Sequence, residues 1–324
     1  MKRIVFFVLA LVFFIIFGCQ KSTNTVPSSP ETPTPTPTNT PTSTPVPSGK
    51  IVYQSNMDGD YDVYVYNFST QSNKNITNSN TGYDGQPCWL ANGTQIYFIT
   101  DRSYGFGKDI YAVNEDGSSP IEKVGTSDEK YYPRKGNFGS SRHLFYHKYN
   151  SSTGKTEICA WDEVQGKEVV IFQSTIQNYG YCDYSTVKNK IVFVNDYFPM
   201  FQIYIANTDG TNSTLLTADE ISIGHTCPKF SKDGNRIVYV SDSNSDGNYE
   251  IWVMNIDGTN KIKITNNNDN NGWPCFSSDD YWIVFVKISS SGNGDLYIIP
   301  ATGGNEQKLN IGFSNTNETY PDWY

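Results

Sequence analysis

The chain has 324 residues, of which 15% are aromatic and 18% charged, with a formal net charge of −9. Its 23 Tyr and 26 Gly favour pleated, half-buried surfaces joined by tight turns, which excludes a helical protein. An acidic chain repels phosphate backbones, so nucleic acid is set aside as a partner, and three His without a nucleotide loop leave few enzyme chemistries.

Lys2 and Arg3 precede an unbroken apolar run from Ile4 to Phe17, then Gly18 and Cys19. This layout predicts a secretory signal over residues 1–18, too short to span a membrane comfortably. The string Ile16-Phe17-Gly18-Cys19 resembles the bacterial lipoprotein cleavage box, although Phe17 departs from the small or β-branched residue usual there. The resemblance implies cutting before Cys19 and a lipid on its thiol. Such chains anchor firmly, since each buried CH₂ adds about 0.8 kcal/mol. Gln20 stands where an Asp tends to keep Gram-negative lipoproteins at the inner membrane, so the resemblance leans to the outer one. Without residues 1–18 the chain carries 22 basic against 33 acidic residues, a charge of −11.

Residues 19–48 follow as a lipidated Cys and a stalk. From Ser22 to Ser48 the composition is Thr/Pro-rich, with the core Thr32-Pro33-Thr34-Pro35-Thr36-Pro37. Proline fixes φ and removes amide donors, which predicts an extended polyproline-like tether. At about 3.1 Å per residue it reaches on the order of 80 Å.

From residue 49 the chain repeats itself. An apolar strand recurs as Ile51-Val52-Tyr53, Ile96-Tyr97-Phe98, Leu144-Phe145-Tyr146, Ile191-Val192-Phe193, Ile237-Val238-Tyr239 and Ile283-Val284-Phe285, at intervals of 45, 48, 47, 46 and 46. Next comes a strand opening on a polar residue, as in Asp62-Val63-Tyr64 and Glu250-Ile251-Trp252. Turns such as Asp116-Gly117, Asp209-Gly210 and Asp257-Gly258 follow, then a short outer strand running into Asn75-Ile76-Thr77 or Lys263-Ile264-Thr265. A fourth strand is expected to begin near Pro87, Pro133, Cys182, Pro228, Pro274 and Pro321. Four strands and three turns make one antiparallel blade. The 276 residues of 49–324 hold six units of 46. The reading is all-β: a six-bladed β-propeller, four antiparallel strands per blade. Tyr320-Pro321-Asp322-Trp323 has the pattern of an innermost strand and Gly49-Lys50-Ile51 that of a second one, so the C-terminal strand is predicted to join the first blade and close the ring.

The string from Phe230-Ser231-Lys232-Asp233-Gly234-Asn235 through Glu250-Ile251-Trp252-Val253-Met254-Asn255-Ile256-Asp257-Gly258 resembles the TolB-type propeller repeat. Weaker copies cover 49–324, the third being most degenerate. The resemblance implies the fold rather than a function, because the same blade serves binding proteins, peptidase gates and lyases. A Thr/Pro stalk stands where TolB carries an α/β domain, so a role in the Tol–Pal system does not carry over.

Catalytic constellations are sparse. There is no Gly-x-Ser-x-Gly elbow, and Gly154-Lys155-Thr156 reads as a hairpin turn because Tyr149 stands where a phosphate loop needs Gly. TolB-like oligogalacturonate lyases hold a divalent metal with several His, which His143, His147 and His225 reproduce badly. Asp242, Asn244 and Asp246 alternate ahead of Gly247, with Glu250 on the next strand, as an oxygen-ligand loop for calcium would. Asp58-Gly59-Asp60-Tyr61-Asp62 is a shorter version. Asp, Asn and Gly are also what hairpin turns prefer. Five Cys remain after Cys19, and Cys182 with Cys227 is the pair to test for a disulfide; buried thiols are the alternative for all five.

Immediately before the innermost-strand Pro position stand Gln86, Tyr132, Tyr181, Cys227, Trp273 and Tyr320, one per blade. The ring would bring them together at a channel mouth, to stack on a peptide or sugar or to pack between blades. The reading at this level is a monomeric, exported, lipid-anchored envelope propeller that binds a protein, peptide or glycan without catalysis. Its rivals are a polysaccharide lyase or hydrolase working in the channel and a structural spacer.

Overall fold

The computed structural model describes residues 45–324 apart from 79–81, 91–92, 102–107, 126–127, 139–140, 174–180, 198–199, 219–222, 243–247 and 312–315. The signal segment, Cys19 and the stalk to residue 44 lie outside the described residues.

The described chain forms six four-stranded antiparallel sheets. The first blade holds β1 (Lys50–Ser55), β2 (Asp62–Asn67) and β3 (Ser72–Asn75). The second holds β4 (Asp84–Trp89), β5 (Gln95–Thr100), β6 (Asp109–Asn114) and β7 (Ile121–Val124). The third has longer strands, β8 (Glu129–Phe138), β9 (Ser141–Asn150), β10 (Lys155–Asp162) and β11 (Lys167–Gln173). The fourth is β12 (Cys182–Ser185), β13 (Lys190–Tyr197), β14 (Met200–Asn207) and β15 (Thr214–Leu215). The fifth is β16 (His225–Phe230), β17 (Arg236–Ser241), β18 (Glu250–Asn255) and β19 (Ile262–Lys263). The sixth is β20 (Asn270–Phe276), β21 (Trp282–Ile288), β22 (Gly294–Pro300) and β23 (Gln307–Lys308). The last strand, β24 (Thr319–Trp323), pairs with β1 and supplies the innermost strand of the first blade, so the sheet order is β24-β1-β2-β3. The ring closes as the repeat predicts.

The apolar triplets are unbroken because both faces of each blade are buried. Ile51 and Tyr53 pack against the sixth blade while Val52, between them, packs against the second. Six apolar clusters result, one at each interface between neighbouring blades. Glycine turns let the blades approach: a Cβ on Gly117 (φ +84°) would lie 2.8 Å from the carbonyl oxygen of Ile76, and one on Gly258 (φ +83°) 2.8 Å from that of Leu216. These are the positive-φ positions that the Asp-Gly dipeptides marked.

A recurrent lock explains the polar residue that opens the third strand of a blade. The Thr217 hydroxyl donates to Gln202 at 2.5 Å, Thr265 to Glu250 at 2.5 Å, and Thr77 to Asp62 at 2.8 Å. Each Thr oxygen also accepts the backbone N–H of the following strand residue, Ile203, Ile251 or Val63. The lock fastens the end of the outer strand to its neighbour, where only two to four residues of ladder hold it.

Candidate binding site on the propeller axis

The innermost strands begin two to four residues ahead of the proline rather than at it, with the fourth blade excepted. The reason is a bulge. Gly85 pairs with Ile99 and Cys88 with Tyr97, so Gln86 and Pro87 together face one residue of β5. The same slip occurs at Tyr132-Pro133, Cys227-Pro228, Trp273-Pro274 and Tyr320-Pro321. Proline suits the unpaired position because it has no N–H to lose. The residue before it is driven into the left-handed region: φ is +50° at Gln86, +52° at Tyr132, +51° at Cys227, +45° at Trp273 and +52° at Tyr320. Each such residue stores roughly 1–3 kcal/mol of backbone strain, held by the surrounding ring. In the fourth blade Cys182 replaces the proline, and the strand pairs from Cys182 in regular register.

The five bulges, with Tyr181 of the unbulged fourth blade, bring the expected mouth residues together, where they interlock. Tyr132 lies 4.4 Å from Tyr181 and 5.9 Å from Tyr320, and Trp273 lies 4.9 Å from Tyr320, between ring centroids. Gln86 sits beneath them, its side-chain oxygen accepting the Tyr132 N–H at 2.8 Å, while its own N–H goes to Gln54 at 2.9 Å. Burial pushes the phenols of Tyr132, Tyr181 and Tyr320 upward, so all three stay neutral. The cavity beside them is about 20 Å³, no more than one water needs. The structure therefore brings the predicted set together as a stopper, with ring against ring.

Two residues further along the same strands lies a second ring that the sequence reading missed. In order around the axis it is Asp322, Cys88, Arg134, Asp183, Lys229 and Cys275. Lys229 Nζ donates to Asp322 Oδ1 at 2.8 Å, and Arg134 Nε stands 3.5 Å from Asp183 Oδ1. Each carboxylate also holds the next blade: Asp322 Oδ2 accepts the N–H of Trp89 at 2.8 Å, and Asp183 Oδ2 that of Phe230 at 2.8 Å. Burial alone would raise both carboxyls. Lys229 and Arg134 offset it for Asp322, whose pKa is lowered, whereas Asp183 remains raised. Burial and Arg134 oppose the Lys229 ammonium as well, but Asp322, Cys275 and Asp183 together outweigh them and the pKa is raised. The available signal was spacing: of the six residues two beyond the mouth positions, about 46 apart in sequence, four are charged, two of each sign.

Beyond the charged ring, on the face carrying the hairpins between first and second strands, the axis opens into a cavity of about 170 Å³. Arg134, Asp183 and Asp322 line it together with Trp89, Thr186 and Lys232.

The other expected site residues fall elsewhere. Glu250 is buried inside its Thr lock, where it accepts from Thr265, from Asn271 Nδ2 at 2.8 Å and from the Asn267 N–H at 3.0 Å, with Lys263 Nζ at 3.1 Å. Its oxygens are engaged by protein donors. Asp242 is half-buried, and Asn244 and Asp246 lie outside the described residues. His147 is buried, its pKa lowered to about 3 by burial and by Arg134, and His225 is fully buried in another blade. The five thiols are buried and unpaired, Cys182 and Cys227 among them.

Residues 182–324 match the model of the TolB beta propeller domain. No curated protein matches the chain's sequence. Among solved structures, TolB from Acinetobacter baumannii superposes with a TM-score of 0.70 at 16% identity, over 85% of this chain and 66% of that one. The chain thus spans just under two thirds of that TolB. Hydrazine synthase of Kuenenia stuttgartiensis gives 0.66 at 15% identity, over 85% of this chain and 46% of the other. An oligogalacturonate lyase in complex with manganese gives 0.56 at 13%, over 80% and 73%. At these identities the likeness is one of fold. The body of this chain is a TolB-like six-bladed propeller, and its second half carries the TolB beta propeller repeat.

Proposed function

We propose that this chain is a binding module of the bacterial cell envelope, anchored through a lipidated Cys19 and taking a protein or peptide partner over the hairpin-face cavity. In a Gram-negative cell, Gln20 directs it to the outer membrane. The observation that carries the reading is the asymmetry of the axis: aromatic side chains stopper one end, while the other opens into about 170 Å³ lined from five blades. A closed ring holds such a cavity rigid, so a partner meets a surface already in its bound shape. The Thr/Pro stretch supports the reading as a spacer that carries a recognition surface away from a membrane.

Two measurements test it. Cys19→Ser should shift the full-length protein from the membrane to the soluble fraction; an unchanged distribution would remove the anchor. Thermal unfolding of the full-length protein with envelope peptides and glycan fragments should show stabilisation, about 2.7 kcal/mol at a hundredfold excess over Kd. Thr186→Trp, at an exposed cavity rim, should cancel it. Stabilisation that survives Thr186→Trp would move the site off the axis, and a flat response to every fragment would favour the spacer.

A further inference from the structure

We infer that the hairpin-face cavity is a carboxylate site, in which Arg134 receives the carboxylate of a partner polypeptide. The inference rests on the binding role proposed above and names the chemistry of its ligand. The argument comes from the donors and acceptors at the cavity floor. Asp183 accepts Phe230 N–H on one oxygen and faces Arg134 with the other. Asp322 accepts Trp89 N–H on one and Lys229 on the other. Both aspartates are thus engaged within the ring. Arg134 is engaged there only in part. Its Nη1 donates to the Pro133 carbonyl at 2.8 Å and its buried Nε faces Asp183 at 3.5 Å, while the side chain lines the cavity and keeps 12% of its surface exposed. A guanidinium carries five donors in a planar fork, and that fork is made for two parallel bonds to one carboxylate.

Charge points the same way. Arg134 and Lys229 balance Asp183 and Asp322, so a carboxylate guest adds one negative charge, which the exposed Lys232 at the rim is placed to offset. An ammonium guest would meet Arg134 and Lys232 and find both aspartates already taken. Size then favours a polypeptide. About 170 Å³ is below the roughly 300–1,000 Å³ of ordinary ligand pockets. It admits one chain end or one acidic side chain, not a run of sugar rings.

Saturation-transfer NMR on the full-length protein in detergent tests this with four probes: N-acetyl-triglycine as free acid, its C-terminal amide, an amidated tripeptide carrying one Glu, and galacturonic acid. The free acid should bind about tenfold or more tighter than the amide. Arg134→Lys, which keeps the charge and loses the fork, should weaken the acid about tenfold. Thr186→Trp should abolish the signal with the melting temperature unchanged. Signal from the Glu peptide in place of the free acid would assign the carboxylate to a side chain rather than a chain end. Equal binding of acid and amide, both lost in Thr186→Trp, would overturn the carboxylate and leave the cavity reading standing. Acid binding undiminished in Thr186→Trp would overturn both. Galacturonic acid binding in place of every peptide would overturn the polypeptide, and silence from all four probes would overturn the inference.

Discussion

The same six inner strands build two rings, about 6–7 Å apart along the axis, with different means of cohesion. The ring of Tyr132, Tyr181, Trp273 and Tyr320 closes the channel by contact between aromatic faces, without fixed charges. The ring of Arg134, Asp183, Lys229 and Asp322 closes by ion pairs and by bonds to backbone N–H groups of the next blade. Aromatic packing fills its end of the axis with ring faces and leaves no charged group there. A ring of charges has more donors than its own acceptors use, and the surplus falls on the side where the axis opens. The difference teaches that a channel's function lies where its polar groups are incompletely matched, not where its largest side chains converge.

The largest effect should come from the charged ring. Lys229→Met leaves the Asp322 carboxylate buried without its closest cation and is expected to destabilise by about 3–5 kcal/mol in urea unfolding. The double variant with Asp322→Leu should recover part of the loss; if it does not, the pair is not the source. The stopper should be cheaper to breach. Trp273→Ala, at a half-buried position, should cost about 2–3 kcal/mol and leave binding at the far cavity intact. Loss of binding in that variant would show that the two ends are coupled. Away from the axis, Thr265→Val removes a donor to Glu250 and the acceptor for the Ile251 N–H, for about 1–2 kcal/mol.

A further effect is a slope. His147 is held neutral, its pKa lowered from 6.5 to about 3 by burial and by Arg134. Unfolded chains take up a proton there near pH 6.5, and the folded one does not until about pH 3. Stability therefore falls as pH drops through that window, by at most about 1.4 kcal/mol per pH unit from this group. His147→Leu should flatten the acid limb of the stability profile; an unchanged limb would place the sensitivity elsewhere.

The fold was legible because burial on both faces forces an unbroken Ile-Val-Tyr triplet, and the triplet recurs at a nearly constant interval. The closing strand was legible from Tyr320-Pro321-Asp322-Trp323 at the chain's end. The stopper was half legible: proline marked the positions, but whether Tyr132 and Tyr181 would frame an opening or fill it depends on side-chain reach across the axis. The charged ring was not read, since Arg134, Asp183, Lys229 and Asp322 stand far apart in sequence and only closure of the ring brings them together. Glu250 is ambiguous in sequence for a physical reason. The carboxylate that locks a Thr hydroxyl looks, in one dimension, like one waiting for a cation.

The central claim is that the axis admits a ligand from the hairpin face alone. Because the five thiols of the propeller are buried, Val187→Cys and Asn270→Cys each introduce one exposed thiol, beside the cavity rim and at the aromatic end respectively. Titration of fluorophore-labelled protein with N-acetyl-triglycine should change emission from position 187 and leave position 270 silent. A response at 270 with silence at 187 would contradict the account.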